Sequence, residues 1–225
     1  MLRAELIDFL AAEVVSRKIP ARPLLVAIDG RCASGKTTLA DEIAVAIAAS
    51  RPEFQILRPS VDGFHHPRER RYQQGEFSAR GYYEDAYDYS LLSESLLRPL
   101  SGNCFPVPCK QVCHDWRTDM PSQAPPVLAG TTALLLFEGV FVLRTAIDFY
   151  WNLRILVEVS AECSIQRAIR RDAGDFGSRE AIVKKYRLRY EPAWQLYVEQ
   201  EHPEQKADLI VYNEDPANPT LSRST

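Results

Sequence analysis

The sequence predicts an α/β fold in which a mostly parallel β-sheet is flanked by helices. Apolar runs at residues 24–28, 132–139 and 153–159 are typical of strands that are buried on both faces. The first run leads into residues 30–37, which read G-x-x-x-x-G-K-T, and a helix-like stretch follows at residues 38–49. This strand–loop–helix unit is the local signature of the P-loop NTPase fold.

The glycine-rich stretch has the residue types that a phosphate-binding loop needs. Gly30 and Gly35 let the backbone curl so that successive N–H groups point at phosphate oxygens. The positive end of the following helix adds to that field. Lys36 brings a charge to the β- and γ-phosphates, and the Thr37 hydroxyl can ligate Mg²⁺. We therefore expect a nucleotide to be bound by Gly30, Arg31, Cys32, Ala33, Ser34, Gly35, Lys36, Thr37 and Thr38.

The composition fits one α/β domain, expected at residues 1–215, with a C-terminal tail at residues 216–225. Of the 225 residues, 46% are hydrophobic and 25% are charged, and the net charge is −3. This charge gives no reason to expect nucleic acid or a membrane surface as a partner. No apolar run approaches the roughly 18 residues of a membrane span, and the N-terminus lacks the order of a signal peptide. The five irregularly spaced cysteines fit a reduced, cytoplasmic protein.

The N-terminal segment predicts an amphipathic helix over residues 1–17. Its apolar residues recur every four positions, at Leu2, Leu6, Leu10 and Val14. Pro20 and Pro23 end the helix before the first strand. The opposite face mixes acids and bases, which favours a helix packed on the sheet over a membrane anchor.

Asp62 follows a second predicted strand, at residues 54–58. Ligands of open α/β sheets bind outside the carboxyl ends of the strands, so this position favours chemistry. A carboxylate there can accept the proton of an attacking hydroxyl or hold Mg²⁺ through water. The alternative is an aspartate that only caps a turn.

Residues 65–89 are polar and rich in arginine and tyrosine, which predicts a long functional loop. Asp85 or Asp88 would suit a hydroxyl-rich substrate, and the aromatic faces would suit a flat ring. The arginines could instead form a solvated face. A short helix at residues 90–97, ended by Pro99, is expected next.

The cysteine-rich and proline-rich stretch that follows does not predict a metal site. Cys109, Cys113 and His114 lie close together, but they lack the paired C-x2-C knuckle of structural zinc sites. Pro121, Pro125 and Pro126 predict a loop. By contrast, Glu138 ends a strand of apolar residues, where a carboxylate commonly steadies the water shell of Mg²⁺.

The C-terminal third predicts a helix at residues 161–171, a break at 173–177 and a long helix from Ser178 that Pro192 kinks or divides. Arginines beside a glycine hinge could close a lid over the transferring phosphoryl group, although ordinary charge at a helix C-terminus is the competing explanation. A last strand is expected at residues 207–212, followed by a loose tail.

In this order the segments resemble the uridine kinase family, within the wider group that includes phosphoribulokinase and bacterial pantothenate kinase. The resemblance runs from about residue 24 to residue 213 and is carried by residues 28–38, 61–65, 137–141, 167–172 and 206–211. It implies a nucleoside- and nucleotide-kinase-like fold with a lid at about residues 167–179. It also implies ATP- and Mg²⁺-dependent transfer of the γ-phosphoryl group to a hydroxyl of a small molecule. Members of the family often form homo-oligomers, but no stretch here identifies an interface.

The resemblance also implies residue roles. Asp62, Lys36 and Arg171 are the expected catalytic residues, and the lid arginines Arg167 and Arg170 join the nucleotide site. The expected metal site uses Thr37, Glu138 and Asp62. The expected substrate site consists of Asp62, Phe64, His65, Tyr82, Tyr83, Asp85, His114 and Asp115.

Some departures from the family pattern weaken the transfer of uridine as the substrate. Uridine kinases usually carry an aspartate three positions before the residue that matches Asp85, and here that residue is Tyr82. Their Tyr-Asp-Phe stretch reads His114-Asp115-Trp116, and their Arg-Gly-Arg reads Phe176-Gly177-Ser178. A nucleoside such as uridine or cytidine is the first expectation for the acceptor. A sugar, a sugar phosphate or a pantothenate-like alcohol is the alternative, and extra arginines at residues 68–80 would suit an anionic acceptor.

A nucleotide-binding regulatory protein without kinase activity is the alternative from another functional class. No N-K-x-D base-reading motif and no D-x-x-G switch follow the phosphate loop, which argues against a GTPase.

Overall fold

A β-sheet forms the centre of the protein. The computed structural model describes residues 1–171 and 177–223. The strands of this sheet are β1 (Leu24–Asp29), β2 (Gln55–Leu57), β7 (Ala133–Gly139), β8 (Leu153–Glu158), β9 (Leu209–Tyr212) and β10 (Thr220–Arg223). They lie side by side in the order β10-β9-β8-β1-β7-β2. Neighbouring strands are parallel except β10, which is antiparallel to β9. The predicted α/β fold with a mostly parallel sheet is confirmed.

Strands β1 and β7, which are neighbours in the interior of the sheet, are buried along their whole length. Strand β1 pairs with β7 from Leu24 opposite Leu134 to Asp29 opposite Gly139. Because the strands are parallel, their carboxyl ends lie at the same edge of the sheet. Asp29 and Glu138 therefore lie at this edge, one at the end of each strand.

Helices α1 (Arg3–Ser16) and α2 (Lys36–Ser50) cover one face of the sheet. Leu6, Leu10 and Val14 of α1 are buried in a cluster with Ile43 of α2 and the strand side chains of that face. The predicted amphipathic helix is confirmed, but Leu2 precedes it and is exposed. In the described residues, no helix combines the length and the apolar character needed to cross a membrane.

The opposite face of the sheet carries a second apolar cluster, which includes Phe64, Tyr82, Phe137, Phe141 and Trp194. The remaining helices are α3 (Arg68–Arg71), α4 (Ala79–Asp85), α5 (Tyr89–Leu92), α6 (Arg98–Leu100), α7 (Thr145–Asp148), α8 (Ala161–Arg171), α9 (Arg179–Lys185), α10 (Glu191–Glu201) and α11 (Pro203–Lys206). Helix α10 packs on α4, so residues more than 100 positions apart share this core.

Two prolines lie just after π-helical turns. The segment Ser93–Leu97 joins α5 to α6, and Tyr186–Tyr190 joins α9 to α10. Pro99 and Pro192 occupy the second position of the α-helical segment that follows each π turn. Proline lacks the backbone N–H, and a widened turn accommodates that loss without ending the helix. The prediction that Pro99 ends a helix was wrong, and Pro192 does not divide the long helix, which continues through the π turn.

Two short antiparallel pairs lie outside the main sheet. Strand β3 (Val107–Cys109) pairs with β6 (Val127–Ala129), and β4 (His114–Asp115) pairs with β5 (Met120–Pro121). Strands β5 and β6 therefore bound the loop that the prolines predict on its two sides.

Residues 65–89 are not the polar loop that their composition predicts. They contain α3 and α4, and Arg71, Tyr82, Tyr83, Asp85 and Tyr87 are buried. Some of the tyrosine rings among them contact residues that are distant in the sequence. Composition does not reveal such contacts. The prediction of a loose C-terminal tail was also wrong in part, because β10 adds an edge strand to the sheet.

Candidate functional site

The phosphate loop, residues 30–37, has a backbone conformation that only glycine tolerates at two positions. Gly35 has φ = +94°, and a Cβ built there would lie 2.6 Å from the Asn213 amide. A Cβ on Gly30 would lie 2.5 Å from the Val157 carbonyl oxygen. Ala33 is also left-handed, with φ = +57°. The loop thus has the curled form that directs backbone N–H groups inward.

Side chains from the end of the sheet hold the loop from outside. Asn213 donates from its amide to the Ser34 carbonyl at 2.8 Å, and Arg167 donates to the same carbonyl at 3.0 Å. Arg167 also donates to the Glu214 carbonyl at 3.2 Å. Below the loop, Asp29 is fully buried and accepts a bond from the Gly30 N–H at 2.7 Å. Burial raises the pKa of Asp29, while a hydrogen bond from the Tyr197 hydroxyl opposes the rise.

The loop opens into a cavity of about 790 Å³, which we call the main cavity. Its floor contains Lys36, Thr37 and Thr38, together with Cys32, Ala33 and Gly35 of the loop. Lys36 donates from Nζ to the Arg31 carbonyl at 3.1 Å. Asp62, Glu138, Arg167 and Arg171 line the same cavity. The structure therefore brings together the residues expected to bind nucleotide, metal and the transferring group.

Asp62 lies in a short 3-10 helix, Val61–Phe64, next to the carboxyl end of β7. Its side chain is 55% exposed to the cavity and accepts a 3.4 Å hydrogen bond from the Tyr87 hydroxyl. The His65 ring nitrogen Nδ1 lies 2.9 Å from the Asp62 carbonyl oxygen and 4.0 Å from its carboxylate. Burial lowers the pKa of His65, which favours a neutral ring at neutral pH.

A hydroxyl chain extends from Asp62 to the phosphate loop. The Tyr87 and Tyr82 hydroxyls are 3.2 Å apart, and the Tyr82 hydroxyl is 3.5 Å from the Cys32 sulfur. Burial raises the pKa of both tyrosines well above the ordinary value, so both hydroxyls keep their protons. Tyr87 is therefore a permanent donor to the Asp62 carboxylate.

Thr37 and Glu138 supply the oxygen atoms that could contact a metal ion in the main cavity. Within the described residues, no group of three His, Cys, Asp or Glu side chains comes together to hold a metal. This donor set fits Mg²⁺, which is usually held by one or two carboxylates together with water and substrate phosphates.

Several of the expected substrate residues lie outside the main cavity. Phe64 is fully buried, with its ring 6.0 Å from that of Phe137, because it is a core residue. Tyr83 lies under the Arg144 guanidinium, 3.8 Å from ring centre to carbon. Asp85 accepts a 2.7 Å bond from Gln74 and does not line the main cavity.

His114 and Asp115 also lie outside the main cavity. The His114 ring is 3.1 Å from the Asp119 carboxylate, and Asp115 caps a turn through the Arg117 N–H and the Thr118 hydroxyl. His65 and Tyr82 are the other expected substrate residues, and both line the cavity.

Two expected nucleotide contacts are also turned away. The Arg31 guanidinium forms a 2.6 Å ion pair with Glu191 and lies 5.6 Å from the Trp194 ring centre. Arg170 is exposed and does not line the cavity. The predicted lid includes residues 172–176, which lie outside the described residues. Arg171 does line the cavity, 3.4 Å from the Tyr186 hydroxyl.

Sequence reasoning missed a group of residues that line the cavity: Arg71, Tyr72, Trp116, Arg117, Lys185, Tyr186, Arg189 and Tyr190. The density of arginine and tyrosine in residues 65–89 was a signal for the first two. Trp116 and Arg117 follow directly after the two residues that the family pattern favoured. The helical spacing of Tyr186 and Tyr190 indicated only a buried face.

Comparisons with known proteins agree with this geometry. The model of the phosphoribulokinase/uridine kinase family matches residues 25–217. A uridine-cytidine kinase B from Dictyostelium discoideum is 26% identical over 192 residues, covering 84% of this chain and 74% of the relative. A uridine kinase from Mycoplasma pneumoniae is 28% identical over 189 residues and covers 84% of both chains. A solved structure described as a possible uridine kinase from Bacillus stearothermophilus is 25% identical, with a TM-score of 0.67, and covers 92% of this chain and 97% of that one.

Proposed function

The chain belongs to the phosphoribulokinase/uridine kinase family, and we propose that it transfers the γ-phosphoryl group of ATP to a hydroxyl of a small molecule. The observation that carries this proposal is the position of the Asp62 carboxylate. It lines the same cavity as Lys36, Thr37 and Glu138. Many of the polar side chains that line this cavity are buried. A phosphate loop and a neighbouring carboxylate are the two parts that phosphoryl transfer to an alcohol requires.

Several residues that line the main cavity have defined parts in the proposed reaction. Backbone N–H groups of the phosphate loop and the Lys36 ammonium hold the β- and γ-phosphates. The acceptor oxygen bonds to the γ-phosphorus while the bond from this phosphorus to the β–γ bridging oxygen breaks, which releases ADP. Asp62 accepts the proton that the acceptor hydroxyl loses. Tyr87 holds the Asp62 carboxylate in place through its hydroxyl.

The cation and the closure of the site complete this assignment. Thr37 and Glu138 would hold Mg²⁺, which neutralises charge on the β- and γ-phosphates when bound. Arg171 faces the cavity from the end of α8, where it can interact with the transferring group. Arg167 supports the loop backbone while it lines the same cavity.

The relatives support a nucleoside as the first acceptor to assay, because their names specify uridine or cytidine. At 26–28% identity the chemistry transfers more securely than the acceptor. Five of the expected substrate residues, Phe64, Tyr83, Asp85, His114 and Asp115, lie outside the main cavity. An assay with candidate alcohols, rather than similarity to the relatives, therefore has to identify the acceptor.

The test measures ADP formation from ATP with a panel of alcohols and identifies the phosphorylated product by mass spectrometry. We expect ADP release to rise above the rate without acceptor for at least one alcohol, with one phosphorylated product formed per ADP. An ATPase rate that no alcohol changes would contradict the proposal. It would favour a nucleotide-binding regulatory protein.

A further inference from the structure

A second cavity, of about 670 Å³, adjoins the main cavity. We call it the basic pocket, because Arg68, Arg71, Arg117, Lys184 and Lys185 line it. Glu76 is the one acidic side chain among the described residues that line it. A wall with this excess of positive charge attracts anions and concentrates them locally.

The basic pocket is continuous with the main cavity. Tyr72 and Trp116 line both, as do Arg71, Arg117 and Lys185. The His65 ring, which lies beside Asp62, is 6.2 Å from the Trp116 ring between centres. The Arg117 guanidinium in turn lies 5.0 Å from the Trp116 ring centre. A path of contacts therefore leads from the Asp62 carboxylate to the basic pocket.

The basic pocket is built into the fold and is not a solvated surface. The Arg71 side chain is only 8% exposed, and its Nε atom is buried without a hydrogen-bond partner. Its terminal nitrogen contacts the Asp119 carboxylate at 3.2 Å and the Trp116 carbonyl at 3.4 Å. The Arg71 guanidinium lines the basic pocket, where its positive charge favours an anion.

A second buried cation lies between the two cavities. Arg189 is 2% exposed and donates to the backbone carbonyls of Arg71, Gly75, Glu76 and Ser78. Its guanidinium also lies 4.7 Å from the Tyr72 ring centre and 5.2 Å from that of Tyr82. In the described part of the chain its charge is met by peptide dipoles and ring faces. Its positive field therefore extends into the cavity.

Two further cations at the rim are held by aromatic rings. The Arg68 guanidinium lies 5.1 Å from the Tyr72 ring centre, and the Lys184 ammonium lies 4.6 Å from that of Phe77. Ring contacts orient these side chains but leave their N–H groups able to donate to an anion. The rim and the buried guanidinium thus present donors to the same space.

We propose that the acceptor is an alcohol that also carries a phosphate or carboxylate group, which the basic pocket binds while the hydroxyl lies at Asp62. This inference rests on the proposed kinase function and specifies its substrate class. A neutral nucleoside would bring no anionic group to the Arg71 guanidinium or to the rim cations. A charged acceptor supplies oxygen atoms that accept charge-assisted hydrogen bonds from them.

The experiment compares pairs of alcohols that differ in the anionic group. The pairs are D-glycerate and glycerol, pantothenate and pantothenol, and ribulose 5-phosphate and ribulose, with uridine and cytidine added. We expect kcat/KM to be at least about 100-fold higher for an anionic member than for its neutral partner, as two charge-assisted hydrogen bonds would give. The phosphate and carboxylate arms identify which anion the pocket accepts.

A double variant, Arg68→Ala with Lys184→Ala, tests the location. It leaves the buried Arg71 intact, so folding is retained. We expect KM for the anionic acceptor to rise about 10- to 100-fold while KM for ATP stays within about twofold. The control is Arg80→Ala, because Arg80 is 74% exposed, pairs with Glu84 and lines neither cavity. This variant should match the wild type.

The outcomes separate this inference from the proposed function. If uridine or cytidine is the preferred acceptor and the double variant does not change its KM, the inference is overturned and the kinase function stands. The inference is also overturned if an anionic alcohol is preferred but the double variant binds it normally. If no alcohol of either class is phosphorylated, the kinase function fails and the inference fails with it.

Discussion

The two sides of the main cavity are built in different ways. The phosphate side comes from one continuous stretch, residues 30–38, whose shape is set by backbone conformation. The acceptor side comes from separate segments that include Asp62, Tyr87, Trp116 and Arg189. Local sequence therefore determines the first side, whereas packing between distant segments determines the second. A motif can identify the phosphate side, but the acceptor side requires the fold.

The supports of the two sides differ in the same way. Asn213 and Arg167 hold the phosphate loop through its carbonyl groups, so the identity of most loop side chains matters little to its shape. On the acceptor side, rings and guanidinium groups hold one another, as in the contact of Arg189 with Tyr72 and Tyr82. Substitutions should therefore affect chemistry or nucleotide binding on one side and packing or acceptor binding on the other.

The largest expected effect is at Asp62, where the two sides meet. Asp62→Asn keeps the shape of the side chain but removes the proton acceptor, so turnover should fall by roughly 10²–10⁴ with KM for ATP little changed. Steady-state kinetics measure both values. Asp115→Asn is the control, because Asp115 lies outside the main cavity and should retain at least about half of the activity. Equal rates for Asp62→Asn and wild type would remove Asp62 from this role.

The next effect separates packing from binding on the acceptor side. Phe64→Ala should lower the free energy of unfolding by about 3–5 kcal/mol, because Phe64 is fully buried against Phe137. Urea unfolding measures this change, and Asp115→Ala should cost about 1 kcal/mol or less. A Phe64→Ala protein as stable as the wild type, with a raised acceptor KM, would restore Phe64 to the substrate site.

The stability of the protein is expected to depend on pH through Glu158, at the end of β8. Burial raises the pKa of Glu158 to about 7, although Arg31 lies 4.0 Å away. Since the unfolded value is about 4.3, the folded state binds the extra proton, and this stabilisation is lost as pH rises through 7. The free energy of unfolding should therefore fall by about 3 kcal/mol between pH 4 and pH 8 from this group. Glu158→Gln should remove this part of the pH dependence, and an unchanged difference between the two pH values would contradict the assignment.

The smallest expected effect is at Tyr87. Tyr87→Phe removes one hydrogen bond to Asp62, so kcat should fall about 3- to 10-fold. Steady-state kinetics measure this change. Tyr89→Phe is the control, since the Tyr89 hydroxyl donates to the Phe141 carbonyl at 3.2 Å and does not line the cavity. A kcat that falls equally in both variants would indicate a general structural effect.

The sequence predicts those features that depend on neighbours along the chain. The buried strands of the predicted sheet are confirmed, whereas the roles of the phosphate loop and of the carboxylates beside it stay predictions. Asp62 and Glu138 were found because parallel strands deliver their carboxyl ends to one edge. The strand order and the edge strand β10 could not be predicted, since pairing with β9 depends on where the chain returns.

The acceptor side shows why some of the expected substrate residues lie outside the main cavity. Tyr83 and Asp85 are polar or amphipathic in sequence, yet their partners Arg144 and Gln74 bury them away from the cavity. Trp116 faces the cavity, whereas its neighbour Asp115 caps a turn. Strand β4 ends at Asp115, and Trp116 lies in the turn that follows, so strand alternation does not determine their different roles. Only tertiary contacts reveal which of the two neighbours lines the cavity.

The most direct test follows the γ-phosphoryl group itself. ATP labelled in the γ-phosphate is mixed with excess protein and each candidate acceptor, and the label is located after a single turnover. The account predicts that label moves to the hydroxyl of an acceptor in equal amount to ADP, and that Asp62→Asn slows this transfer by roughly 10²–10⁴. Label found only in inorganic phosphate, at a rate that no alcohol and no Asp62 substitution changes, would contradict it.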